Sequence, residues 1–161
     1  MRASLRFAVH EPDIPQNVGA IVRLAAGLGC PVELIEPLGF VFDRRKLGRA
    51  ALDYHDRAEI TRQPSWHRFD AVRRAHGRRL ILLTTRGATD YRDLSYRPDD
   101  VLLVGAESAG VPDQVHAAAD RRVVIPLAAG VRSLNVVTAL AMVAGEALRQ
   151  LRAAEPTRSD G

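Results

Sequence analysis

Three segments of the chain combine small residues with polar ones in a way that a plain connector does not require. They are EPDIPQNVGAIVR (Glu11–Arg23), LLVGAESAGVP (Leu102–Pro112) and VIPLAAGVRSLN (Val124–Asn135). Glycine and alanine let backbone amides approach a ligand, because no long side chain stands between. Asn17, Arg23, Glu107, Arg132, Ser133 and Asn135 add donors and acceptors that can orient a ligand or stabilise charge. Each also has a structural alternative. Asn17 before a helix is an ordinary N-cap, Glu107 can hold a loop or pair with an arginine, Ser133 and Asn135 can cap the helix they precede, and Arg23 can be a solvated helix arginine.

Several familiar chemistries are excluded by spacing. No G-x-x-x-x-G-K-[ST] and no G-x-G-x-x-G occurs, so neither a Walker loop nor a standard dinucleotide fingerprint is present. Ala106–Gly110, AESAG, is one residue from a nucleophile elbow, but the triad has no partner: the only histidine after Ser108 is His116, with Asp113 beside it at helix spacing. His10, His55, His67, His76 and His116 never pair at ligand spacing and Cys30 is alone, so no metal site is expected.

The elements that must position these loops alternate. Strands are predicted at Leu5–His10, Val32–Ile35, Arg79–Thr84, Val101–Gly105 and Val123–Ile125, and runs such as VLLV suit a sheet covered on both faces. Helices are predicted near Asn17–Leu28 closed by Gly29, Pro64–His76 closed by Gly77, Pro112–Ala119, and Ser133–Arg152. This alternation predicts an α/β domain with a mainly parallel sheet and helices on both faces, in which ligands bind at the carboxyl ends of strands.

Composition fits one globular domain of 161 residues, 47% hydrophobic and 26% charged, spanning residues 1–153 with a frayed tail at 154–161. No apolar run approaches the roughly 20 residues that cross a bilayer, and the start does not read as a signal peptide, so a cytoplasmic protein without membrane contact is expected. The net charge of +4 hides a separation: residues 43–97 hold fourteen basic groups against seven acidic ones. Nearly all the basic residues are arginine, which grips phosphate bidentately. That is either a GC-rich genome's codon usage or the mark of a polyanionic partner.

The last helix, LNVVTALAMVAGEAL (Leu134–Leu148), is apolar on nearly every face. One face is expected on the protein's own sheet and another against a second subunit, with Val143 in that interface.

The three loops resemble the motifs of the SPOUT superfamily of RNA methyltransferases. Asn17-Val-Gly19 with Arg23 resembles its first motif, Leu103 to Gly110 its second, and Ile125-Pro126 through Ser133-Leu134-Asn135 its third. EPDIPQN, IEPLGF (Ile35–Phe40), LDYH (Leu52–His55) and LTTRG (Leu83–Gly87) resemble the small members that methylate the 2′-hydroxyl of the tRNA wobble nucleotide, a cytidine or modified uridine. The resemblance runs from about Phe7 to Arg152. It implies a carboxyl-terminal deep trefoil knot, S-adenosylmethionine held by Leu83, Gly105, Ile125 and Ser133, a catalytic group of Arg23, Asn17, Glu107 and Asn135, RNA contacts from Arg132 and Arg86, no metal, a tRNA partner, and a homodimer through the last helix. Relatives usually have Pro at Ala106, Arg at Ala109, and aromatic residues at Gly145 and Leu148. Methylation of another tRNA or rRNA site, or RNA binding without cofactor, remain the alternative functions.

Overall fold

The computed structural model describes residues 5–45, 47, 57–87 and 89–154. The LDYH segment and the end of the tail lie outside the described residues. In chain order the elements are β1 (Arg6–His10), α1 (Pro15–Leu28), β2 (Val32–Ile35), β3 (Ile60–Gln63), α2 (Trp66–Ala75), β4 (Leu80–Leu83), β5 (Thr89–Asp90), β6 (Val101–Val104), α3 (Asp113–Ala118), β7 (Arg121–Val124) and α4 (Val136–Ala154). The strands form one seven-stranded sheet in the order β3-β2-β1-β6-β4-β7-β5, and every neighbouring pair is parallel.

Alternation along the strands builds two cores. Phe7, Val9, Leu34, Ile81, Leu102 and Val104 face α1 and α4, meeting Val18, Ile21, Val22, Leu140 and Val143. Ala8, Ile35, Leu80, Leu82, Val101 and Leu103 face the other way, onto Phe69 of α2 and Val115 of α3. Strands β4 (LILL) and β6 (VLLV) are therefore apolar at every position, as a sheet covered on both faces requires.

Helix starts and stops follow from local chemistry. Pro15 opens α1, where its missing N–H costs nothing, and Gly29 closes it at φ 69. Asn135 caps α4: its Oδ1 accepts from the amides of Val137 at 2.9 Å and Thr138 at 3.3 Å, so the helix begins three residues after the predicted Ser133. Two strands escape the sequence reading. ITRQ of β3 and TD of β5 are short, polar edge strands, and neither has the apolar run that marks an inner one.

The expectation for α4 also needs correction. Leu140, Val143, Ala144, Ala147 and Leu151 are buried within the chain itself, and α1 packs beside them. What is exposed is a narrower stripe of Thr138, Met142, Gly145, Arg149 and Arg152. Val143 is 0% exposed, so it belongs to the core and not to the outer face of the helix.

Strand β7 lies between β4 and β5, although these two are consecutive in sequence and joined by a short connection. Val123 is opposite Leu83 on one side and Thr89 on the other. The connection crosses the end of β7 so closely that a Cβ on Gly87 would stand 2.7 Å from the Val123 carbonyl carbon. Among the described residues, no helix is long and apolar enough to cross a membrane.

Candidate functional site

A cavity of about 450 Å³ opens at the carboxyl ends of β4, β6 and β7, under the start of α4. Leu83, Gly105, Ile125 and Ser133, the four residues that the resemblance assigned to a cofactor, all line it. Leu127, Leu134 and Val136 add apolar wall, and Ala106, Ala109 and Gly110 form a side without bulk. The space and its lining suit a small ligand with an apolar ring and polar ends.

Gly105 is required for a different reason from an open slot. The segment after β6 turns back on itself, with the Ala106 amide donating to the Gly110 carbonyl at 3.2 Å and the Gly110 amide to the Ala106 carbonyl at 2.8 Å. A Cβ on Gly105 would meet the Gly110 carbonyl at 2.5 Å, so any side chain there breaks the hairpin before it fills the cavity. Gly110, at φ 63, completes the turn.

The polar residues of the three loops meet beside this hairpin. The Asn17 amide donates to the Glu107 carboxylate, and the Asn135 amide donates to Asn17 Oδ1 at 3.3 Å. Glu107 and Arg86 also line the cavity. Helix α1 begins at Pro15, which places Asn17 inside its first turn, and Ile14 is the residue at the cap position. Asn17 is thus free of the capping role and bonds across loops instead. Asn135 does both, capping α4 with its oxygen while its nitrogen reaches Asn17. Glu107 pairs with an amide here rather than with an arginine.

The arginines divide. Arg86 stands at the cavity with an exposed ion pair to Asp113 at 3.5 Å. Arg23 and Arg132 are exposed, and neither lines the cavity. Neither makes an ion pair or side-chain hydrogen bond among the described residues, so both cations are available to an anion.

Asp13 was not singled out by the sequence. Its Oδ1 accepts from the Glu107 amide at 3.3 Å and its Oδ2 from the Ser108 hydroxyl. The Ser108 hydroxyl first, helped by backbone amides, holds the Asp13 carboxyl below the usual carboxylate range. The available signal was the acidic residue between two prolines in EPDIP, which has no arginine or lysine nearby in sequence.

Comparison with known proteins places this geometry in a family. The SpoU rRNA Methylase family model matches residues 4–145. A tRNA (cytidine(34)-2'-O)-methyltransferase of Beijerinckia indica is 53% identical over 147 residues, covering 91% of this chain and 92% of the relative. A solved structure described as giving structural insights into the 2-OH methylation of C/U34 on tRNA superposes with a TM-score of 0.89 at 38% identity, covering 94% of this chain and 98% of that one. An AdoMet-bound rRNA methyltransferase from Sinorhizobium meliloti superposes with a TM-score of 0.85 at 28% identity, covering 94% of this chain and 58% of that one. With the second and third motifs lining one cavity, the first bonded to its wall through Asn17 and Glu107, and the match running along most of its length, the chain belongs to the SpoU methylase family.

Proposed function

We propose that the protein transfers a methyl group from S-adenosylmethionine to the ribose 2′-hydroxyl of the tRNA wobble nucleotide, cytidine or modified uridine. The observation that carries this reading is the 53% identity, over 91% of the chain, to a tRNA (cytidine(34)-2'-O)-methyltransferase. The site supports it independently, since all four residues assigned to the cofactor line one cavity.

S-adenosylmethionine supplies an electrophilic methyl carbon on a sulfonium. Leu83, Ile125 and their apolar neighbours would hold its adenine, and the backbone around Gly105 and Ser133 its polar ends. The chain's remaining task is to present a weak nucleophile in line and stabilise the charge that develops, which is worth more through positioning than through covalent chemistry. Glu107, Asn17 and Asn135 form a bonded row from the cavity wall to the start of α4, suited to fixing the substrate ribose. Arg23 acts as a fixed cation for the adjacent phosphate or the nascent alkoxide, because an arginine does not give up its proton under cellular conditions. Arg86 at the cavity and Arg132, next in sequence to the lining residue Ser133, add positive charge for the RNA.

The catalytic domain covers residues 1–153 and works in the cytoplasm, where tRNA is found. The position of β7 between two strands joined directly to each other supports a carboxyl-terminal trefoil knot. The exposed stripe with Met142 and Gly145 on α4 supports a homodimer through that helix, and the exposure of Arg23 supports its serving a site completed by the second copy. Sedimentation of Met142→Asp, which leaves the core intact, is expected to give monomers with little activity; an active monomeric wild type would remove the dimer from the reading.

The decisive experiment is mass spectrometry of tRNA incubated with the protein and S-adenosylmethionine, together with equilibrium dialysis of the cofactor. One added methyl group on the wobble ribose is expected. A methyl group at another RNA position would reassign the substrate, to which the departures at Ala106, Ala109 and Gly145 already draw attention. Absence of cofactor binding would leave an RNA-binding module.

A further inference from the structure

Two of the family-like segments, EPDIPQN and IEPLGF, have no part in the cavity lining. Their role becomes visible at Asp13. The IEPLGF segment reaches the first loop through the Gly39 amide, which donates to the Pro12 carbonyl at 2.9 Å. A Cβ on Gly39 would stand 2.9 Å from Asp13 Cα and 3.0 Å from its Cβ, so the glycine lets this segment close directly onto the back of Asp13. From the front, Asp13 accepts from the Glu107 amide and the Ser108 hydroxyl, at the tip of the hairpin that walls the cavity.

We infer that Asp13, backed by Gly39, is the positioning residue that clamps the Ala106–Gly110 hairpin, holding the cavity wall closed and the Glu107 carboxylate within reach of Asn17. The hairpin has only two backbone hydrogen bonds of its own, and Glu107, Ser108, Ala109 and Gly110 are all exposed. A loop with so little burial is held by its polar anchors. Asp13 does this from a neighbouring loop without touching the ligand, and it carries the hairpin's position to α1 through Glu107 and Asn17.

The ligand named here, S-adenosylmethionine, rests on the functional reading above, so the test separates the two. Amide hydrogen exchange on the cofactor-free protein reads the clamp itself. In Asp13→Ala the Glu107 amide is expected to exchange about tenfold faster, with the unfolding midpoint little changed. Equilibrium dialysis reads the consequence: the S-adenosylmethionine Kd rises about tenfold in Asp13→Ala, and the double variant with Ser108→Ala binds no worse than Asp13→Ala alone. Asp13→Asn keeps one oxygen for the Glu107 amide and an amide for the Ser108 hydroxyl, so it is expected to restore both readouts to within about twofold of wild type. Gly39→Val, which pushes Asp13 away without removing its charge, should reproduce the alanine phenotype. Unchanged exchange and unchanged Kd in folded Asp13→Ala overturn the clamp. A Kd in Asp13→Asn as poor as in Asp13→Ala overturns it in favour of a role for the charge. The exchange effect in Asp13→Ala, together with a wild type that binds no cofactor, upholds the clamp and overturns the functional reading.

Discussion

Arg73 and Arg23 both project from helices, and the protein uses them in opposite ways. Arg73 is 3% exposed and gives its guanidinium to Asp70, to Asp120 at 2.9 Å and to the Arg78 carbonyl at 3.1 Å. Asp120 in turn accepts from the Leu80 amide, so this cluster ties α2 to the start of β4. Arg23 stands exposed with no such partner among the described residues. The same contrast runs through the basic segment read from the sequence. Arg62 pairs with Glu36, Arg74 with Asp70, Arg79 with Asp100 and Arg92 with Asp90, all within residues 43–97 or next to it in space. Asp70 and Asp90 are already among the seven acidic residues of the segment, but Glu36 and Asp100 lie outside it and offset part of its surplus. A surplus counted along a sequence therefore says less about an anionic partner than one unpaired arginine in the right place, and Arg23 and Arg132 lie outside the basic segment.

The comparison is broken or sharpened by four measurements. The largest effect on stability is expected from Arg73→Ala, which removes the buried cation between Asp70 and Asp120 and should lower the unfolding free energy by about 2–3 kcal/mol in urea titrations, because both carboxylates keep some solvent and Asp70 keeps Arg74. A loss below about 1 kcal/mol would place Arg73 with the surface arginines. Arg23→Ala should do the reverse, leaving the urea midpoint in place and reducing kcat on tRNA by about 10²–10³-fold with cofactor affinity within a few-fold. Cofactor binding that collapses with activity would move Arg23 into the cavity.

Next in size is a pH effect at His10, a buried basic group whose Nε2 lies 3.9 Å from Glu11 Oε1. Burial is the main cause that lowers its pKa from 6.5, against the opposing pull of Glu11. The unfolded chain then takes up a proton more readily than the folded one as pH falls below about 6.5. Stability should be level above neutrality and decline below that point, by at most about 1.4 kcal/mol per pH unit. His10→Leu should flatten the difference measured between pH 7 and pH 5.5. The smallest effect is expected at Arg92, whose pair with Asp90 is exposed and screened. Arg92→Ala should leave the thermal midpoint where it was; a shift as large as that of Arg73→Ala would mean that exposure does not govern these pairs.

The sequence revealed what depends on local pattern and concealed what depends on approach between distant segments. The inner strands and the four helices were legible because ILL, VLLV and the glycine stops are local signals. ITRQ and TD became strands only because the sheet needed edges, and nothing in four or two polar residues announces that. Leu83, Gly105, Ile125 and Ser133 were placed together by resemblance, and the cavity brings them together; the reason for Gly105, a carbonyl 2.5 Å from its missing side chain, was invisible because it lies in a turn five residues on. Asn17 read equally well as a helix cap until the position of Pro15 removed that option. Val143 was misjudged because helical periodicity does not say how much of a helix its own sheet covers. Asp13 was missed altogether, since both groups it holds are more than ninety residues away.

The late arrival of β7 in a place already bracketed by β4 and β5 has a consequence for how the protein is made. A ribosome delivers β4 and β5 well before Arg121, so β5, whose only sheet neighbour among the described residues is β7, has no strand to pair with while β6 and α3 emerge. Until then Leu80–Leu83 has an unpaired side, and the cavity lacks two of its walls, because Ile125 and Ser133 have not yet been translated. A product of premature termination is thus not a weaker enzyme but an empty frame with a bare apolar edge, the kind of species that aggregates or is degraded. The cavity is complete only when the chain has reached the first turns of the last helix, since Val136, Ala139 and Val143 are also in its wall.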